Sequence, residues 1–178
     1  MKKYHPLLVS LHWILAIGII LLLFGGTMLA DLESNDPQKI FGMTGHMVIA
    51  NVVLVLMSIR FIVRMKTQKP APADIGNALL NKGAAIAHYV MYLLVFVMAA
   101  SGWSMALAAG LPGILFGDSG NALPDDLTIY PARVAHGIVA TVFMLVILAH
   151  FLAALYHQFV RKDGLLSRMW FGERTKRD

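Results

Sequence analysis

Cysteine is absent from all 178 residues, which removes disulfides, thiolate nucleophiles, iron–sulfur clusters and cysteine-ligated zinc. Charge is scarce as well. Only 14% of the chain is Asp, Glu, Lys or Arg, against 58% hydrophobic residues, whereas a soluble domain carries about 25% charged residues. With a mean hydropathy of +0.68, an ordinary soluble fold is excluded. Internal repeats, low-complexity segments and a soluble domain outside the apolar runs are also missing. The apolar runs do not alternate with polar residues, so a transmembrane β-barrel is excluded too.

What the chain does contain is four apolar runs, over residues 6–29, 44–63, 83–108 and 132–159. Each is long enough to cross a hydrocarbon layer of roughly 30 Å, which takes about 20 helical residues. The expectation is an all-α membrane protein, a single domain over residues 1–178 built as a four-helix transmembrane bundle. The first run follows Met1-Lys2-Lys3 but exceeds the h-region of a secretory signal, so it reads as a retained helix. Residues 64–82 and 109–131 are rich in Gly, Pro, Asn and Asp and read as loops.

Charge sets the orientation. The termini and the 65–82 loop, with their flanking helix ends, hold thirteen of the fifteen Lys and Arg residues; the other two loops hold only Lys39 and Arg133. Both termini are therefore expected in the cytosol. The outer loops carry Asp31, Glu33, Asp36, Asp118, Asp125 and Asp126. The pI of about 9.6 accordingly reflects topology, and the implied partner is membrane lipid rather than nucleic acid.

The stretch VAHGIVATVFMLVILAHFLAALYHQ places His136, His150 and His157 in one apolar segment. Residues fourteen apart lie on nearly the same helical face about 21 Å from each other, and His136 and His150 are such a pair. Counting from the nearest charged helix end, His12 is about 13 Å from Lys3 and His150 about 16 Å from Arg161, at one shared level. His88, counted from Lys82, and His157 share a shallower level. His46 and His136, near the starts of the second and fourth helices, share a level on the opposite side. Two bis-histidine levels are what a pair of stacked b-type haems requires, since neutral imidazole is a good axial ligand and two of them leave no open position on the iron. Arg60, fourteen residues after His46, is placed to neutralise a propionate of the inner haem, and Arg133, three residues before His136, one of the outer haem. Gly18, Gly25, Gly26, Gly45 and Gly102 would let a flat ring approach the backbone.

Each residue also has a structural reading. A single intramembrane histidine can serve as an interhelical hydrogen-bonding group; four at matched depths favour ligation. His5 reads as solvated at the interface. His88 and His157 are either interfacial residues or donors to a quinone headgroup. Trp13, Trp103, Tyr89, Tyr92 and Tyr156 read as belt or packing aromatics, the methionines as core filler, and Arg64, Lys66 and Lys69 as anchors of the second helix.

The motifs SLHWILA, GH followed by RFIVR, AHYVMYLL and AHGIVA…LAHFLAALYHQFVRKDGLLSRMW, in this order along essentially the whole chain, resemble the prokaryotic cytochrome b561 family. The resemblance implies a four-helix bundle with two haems b, the outer one on His46 and His136 and the inner one on His12 and His150. It further implies electron exchange with ubiquinone in the bacterial inner membrane, with His157 beside a cytosolic quinone site and His88 as the helix-three counterpart. Superoxide oxidase, which passes an electron from outer superoxide to ubiquinone, is one activity of that family. The six outer acids depart from the positive entrance that would steer an anion, unless Lys39 and Arg133 lie at the haem edge. Gln158 stands where a second histidine is frequent. The rival readings are a cytochrome b anchor and electron conduit for a partner dehydrogenase, and a non-redox histidine-lined transporter; a partner protein or a homodimer fits either redox reading.

Overall fold

A computed structural model describes residues 3–34, 36–68, 70–71, 76–117 and 119–172. Among these the chain is all helical: α1 (Pro6–Asp31), α2 (Pro37–Lys66), α3 (Ala78–Ala108), α4 (Leu111–Phe116) and α5 (Pro131–Leu155), which runs into a π-helical segment (Tyr156–Arg161) and a 3₁₀ turn (Leu166–Met169). Four helices are long and apolar enough to cross a membrane. Lys69 and Asp118, named above as anchor and outer acid, lie outside the described residues.

The helix starts follow from local chemistry. Pro6, Pro37 and Pro131 occupy the first helical turn, where a missing N–H costs nothing. His5, expected to be merely solvated, caps α1 by accepting from the Leu7 amide at 3.3 Å, and Asp36 caps α2 through the Gln38 amide at 2.8 Å. Arg64 and Lys66 fill the last turn of α2, where cations complement the helix dipole. The expected outer loop contains a helix, α4, entered through Gly110 in the left-handed region at φ 66°. Leu111 of α4 is 1% exposed and packs with Met43, Ala106, Ala109 and Leu123 as an apolar plug at the outer end.

The bundle is two helix pairs, α1 on α2 and α3 on α5, with sparser contact between the pairs. Gly18 gives α1 its close approach to α2, since a Cβ there would lie 3.0 Å from Val53. Between the pairs, Leu11, Leu15, Leu23, Val53, Met57, Tyr92, Val95 and Phe143 form the central core. Large apolar side chains such as Leu21, Phe24, Leu145 and Phe151 face outward, as a lipid-facing surface requires.

Candidate functional site

All four spanning helices contribute to the outer level. His46 comes from α2 and His136 from α5, and each ring lies against a glycine of the neighbouring helix. A Cβ on Gly26 of α1 would meet His46 Cε1 at 3.3 Å, and one on Gly102 of α3 would meet His136 Cε1 at 3.2 Å. These two glycines therefore clear space for imidazoles, whereas a Cβ on Gly25 or Gly45 would meet nothing within 4 Å. Ser101 Oγ lies 3.0 Å from His136 Nδ1 and donates to the Met98 carbonyl at 3.0 Å. With its one proton so used, the hydroxyl accepts from Nδ1–H and leaves Nε2 as the free nitrogen.

Both histidines line a cavity of about 450 Å³ that runs from Val53, Val95 and Phe143 at mid-bundle to the outer loops. Its mouth carries Lys39 and Arg133, together with Glu33, Asp125 and Asp126. Lys39 Nζ donates to the Leu32 carbonyl at 2.6 Å. Ser34 ties the two outer loops by donating to the carbonyls of Pro124 and Asp125 at 3.1 and 3.0 Å. Asp126 accepts from the hydroxyl and amide of Thr128, and these bonds hold its carboxyl below the usual carboxylate range. Among the described residues, neither Lys39 nor Arg133 forms an ion pair. The two cations thus stand at the entrance, and three acids share the rim with them.

At the opposite end, four helices again supply one residue each: His12 from α1, Arg60 from α2, His88 from α3 and His150 from α5. The His12 and His150 ring centres are 6.4 Å apart and their planes 75° apart. Two imidazoles ligating one metal from opposite sides place their ring centres roughly 6 Å apart, because each metal–nitrogen bond is about 2 Å. The separation therefore fits a shared iron. Arg60 is 8% exposed, donates to the Leu8 carbonyl and lies within electrostatic reach of His12, His88 and His150.

The His88 ring lies 5.5 Å from that of His150, and its Nδ1 lies 2.7 Å from the Ala84 carbonyl, so it stands beside an inner-level histidine. His157 instead pairs with Asp163, Nδ1 to Oδ2 at 2.6 Å.

Sequence reasoning missed three elements here. Ser101 is hidden beside a ligand candidate on another helix. Trp13 is more than a belt aromatic: its Nε1 donates to the Met169 carbonyl at 2.8 Å and its ring meets Trp170 edge-on at 5.4 Å, securing a C-terminal strap. Trp103 donates to Asn51 Oδ1 at 3.1 Å, joining α3 to α2 near the outer cavity.

Comparison with known proteins gives a consistent result. Residues 3–172 match the family model of prokaryotic cytochrome b561. The chain is 27% identical over 175 residues to the probable superoxide oxidase CybB of Yersinia pestis, covering 94% of this chain and 96% of that protein. It is 29% identical over 174 residues to cytochrome b562 of Cereibacter sphaeroides, covering 93% and 94% respectively. It is 26% identical over 171 residues to cytochrome b561 homolog 2 of Escherichia coli K12, covering 94% and 91%.

Proposed function

The chain belongs to the prokaryotic cytochrome b561 family of b-type haem electron carriers, and from that premise we propose that it moves electrons from an outer-side donor to ubiquinone across the bacterial inner membrane. In this reading both termini are cytosolic. His46 and His136 would hold an outer haem b, with Arg133 available to a propionate; His12 and His150 would hold an inner one, with Arg60 available to a propionate. The two haems, when bound, supply a one-electron relay between the two faces. Ser101 fixes the His136 tautomer, Gly26 and Gly102 keep the outer imidazoles in place, and the central core excludes water between the levels. Ubiquinone binds at the cytosolic end, where His88 and His157 offer imidazole nitrogens for hydrogen bonding and proton delivery.

The preferred donor is superoxide. Two superoxide anions are oxidised to dioxygen, and their two electrons with two cytosolic protons convert one ubiquinone to ubiquinol. The observation that carries this reading is the outer cavity, which reaches both His46 and His136 and opens beside Lys39 and Arg133; two cations at the entrance, outside any ion pair among the described residues, favour approach of a small anion. The name of the Yersinia pestis relative points the same way. Glu33, Asp125 and Asp126 on the same rim favour a second reading, in which a partner dehydrogenase delivers the electrons through a protein contact.

The test is visible absorption of the purified, air-oxidised protein under an enzymatic superoxide source, with catalase present and quinone absent. Prompt haem reduction that superoxide dismutase suppresses is expected. Haem bands that stay oxidised under superoxide yet reduce with ubiquinol would move the assignment to the partner-protein reading.

A further inference from the structure

His157 and Asp163 are six residues apart, which on a continuous α-helix would separate them by about 9 Å along the axis and put them on different faces. They touch because the helix does not continue. After Leu155 the chain widens into π-helical turns over Tyr156–Arg161, and Lys162 then adopts a left-handed conformation with φ 52° and ψ 33°. That conformation is uncommon for a residue with a side chain, and π-helical turns occur frequently at functional sites. The reversal carries Asp163 back over the last helical turn.

Its carboxylate is fixed at both oxygens. Oδ2 lies 2.6 Å from His157 Nδ1 and 3.6 Å from Arg161 Nε, while Oδ1 accepts from the Leu165 amide at 3.1 Å. The His157 side chain is 13% exposed and that of Asp163 31%, so the histidine is largely shielded while its carboxylate partner stays in reach of water. Burial pushes the Asp163 carboxyl up, but the bonds from His157 and Leu165 and the nearby Arg161 outweigh it and hold the group below the usual carboxylate range. At neutral pH Asp163 is therefore an acceptor only.

We propose that Asp163 is a positioning residue for quinone reduction: by accepting the His157 Nδ1–H it fixes the tautomer that presents Nε2 to the bound quinone. An imidazole held this way can take a proton at Nε2 from the cytosolic side and give it from the same atom to a quinone oxygen, as that oxygen gains an electron from the inner relay. The proton leaves Nε2 and forms the new O–H bond, and His157 returns to its neutral Nδ1–H form. The inference rests on the reading that His157 attends the quinone. Among the described residues, His157 contacts ionisable Asp163, itself 3.6 Å from Arg161, and the Tyr156 ring 6.0 Å away.

Asp163 is not alone in keeping the strap docked. Tyr4 donates its amide to the Arg168 carbonyl at 3.2 Å, Trp13 bonds to Met169, Lys3 reaches the Phe171 carbonyl at 3.2 Å, and Arg168 donates to the Ala71 carbonyl at 2.7 Å. A change at Asp163 can thus be separated from loss of the cytosolic cap.

The experiment uses full-length, haem-loaded protein, pre-reduced and mixed with decylubiquinone, following haem reoxidation from pH 5.5 to 8.5. Asp163→Ala should slow reoxidation at saturating quinone at least tenfold and flatten its pH profile, with half-saturation by quinone little changed. Asp163→Glu should recover most of the rate. Independently of turnover, ¹⁵N resonances of His157 should show protonated Nδ1 in the wild type and loss of that tautomer preference in Asp163→Ala. If that variant is poorly recovered, the isosteric Asp163→Asn carries the same comparison, its amide being able to donate to Nδ1 and invert the tautomer. Wild-type reoxidation and a wild-type ¹⁵N pattern in the Asp163 variants, with His157→Ala slow, would overturn the proposal and leave His157 at the quinone. Wild-type reoxidation in His157→Ala would overturn the quinone reading of His157 itself, and the proposal with it.

Discussion

Gly102→Ala adds one methyl group at a place where its effect can be worked out. The new Cβ would lie 3.2 Å from His136 Cε1 and 3.5 Å from Nδ1, whereas comfortable carbon–carbon separations are about 3.5–4.0 Å. The imidazole must therefore retreat by a few tenths of an ångström. It is held by the 3.0 Å contact with Ser101, so retreat stretches that bond or turns the ring. Ligand geometry tolerates displacements of about 0.5 Å, and overpacking of this kind costs roughly 1–3 kcal/mol. At about 1.4 kcal/mol per factor of ten, affinity for the outer haem should fall roughly five- to a hundredfold, with the inner level untouched. The assay is the haem-to-protein ratio after purification, read with the reduced-minus-oxidised spectrum. Gly25→Ala is the matched control: a Cβ there meets nothing within 4 Å, and alanine is the better helix former by about 1 kcal/mol. Full haem content and an unaltered spectrum in Gly102→Ala would refute the claim that this glycine exists to seat His136.

Three further outcomes follow from the same geometry. Arg60→Met removes a buried cation within electrostatic reach of the inner histidines; a positive charge there favours the reduced form of a nearby redox centre, so redox titration should find the inner haem potential lowered, on the order of tens of millivolts. Trp13→Phe deletes the bond to the Met169 carbonyl, worth about 1 kcal/mol, and hydrogen exchange over residues 162–172 should accelerate several-fold while exchange in α2 stays unchanged. The Asp163 carboxyl is held low in the folded chain, so the stability it gives is complete above the unfolded carboxylate value of about 4 and is lost as pH falls through the lower folded value. Exchange over residues 162–172, corrected for the intrinsic rate, should therefore rise only below about pH 4, and Asp163→Asn should abolish that rise.

The four spans were legible because crossing a bilayer demands long apolar runs, and few other folds produce them. Their ends were less so. An apolar run stops at the first polar residues, but α2 extends outward to Pro37 through its Asp36 cap and inward to Lys66, whose charge is welcome at the helix terminus. The short helix α4, LPGILF, carries Pro and Gly and reads as loop; burial of Leu111 is what organises it. The closeness of the His12 and His150 rings was accessible from depth arithmetic, since rise per residue measures depth along a helix. The contact of the His88 ring with that of His150 depends on how α3 and α5 pack, which residue spacing along either helix does not give. Of the five glycines singled out, Gly26 and Gly102 face imidazoles and Gly18 a neighbouring helix, a distinction that needs the partner helix in place. The contact of Asp163 with His157 depends on a π-helical widening and one left-handed lysine, and neither is written in residue type.

The two-level arrangement is the centre of the account, and counting haems tests it most directly. Pyridine haemochrome quantification on purified wild-type, His46→Ala and His12→Ala protein should return two haems for the wild type and one for each variant, with the remaining spectrum differing between the two variants. A wild type carrying a single haem, or variants that both retain two, would contradict it.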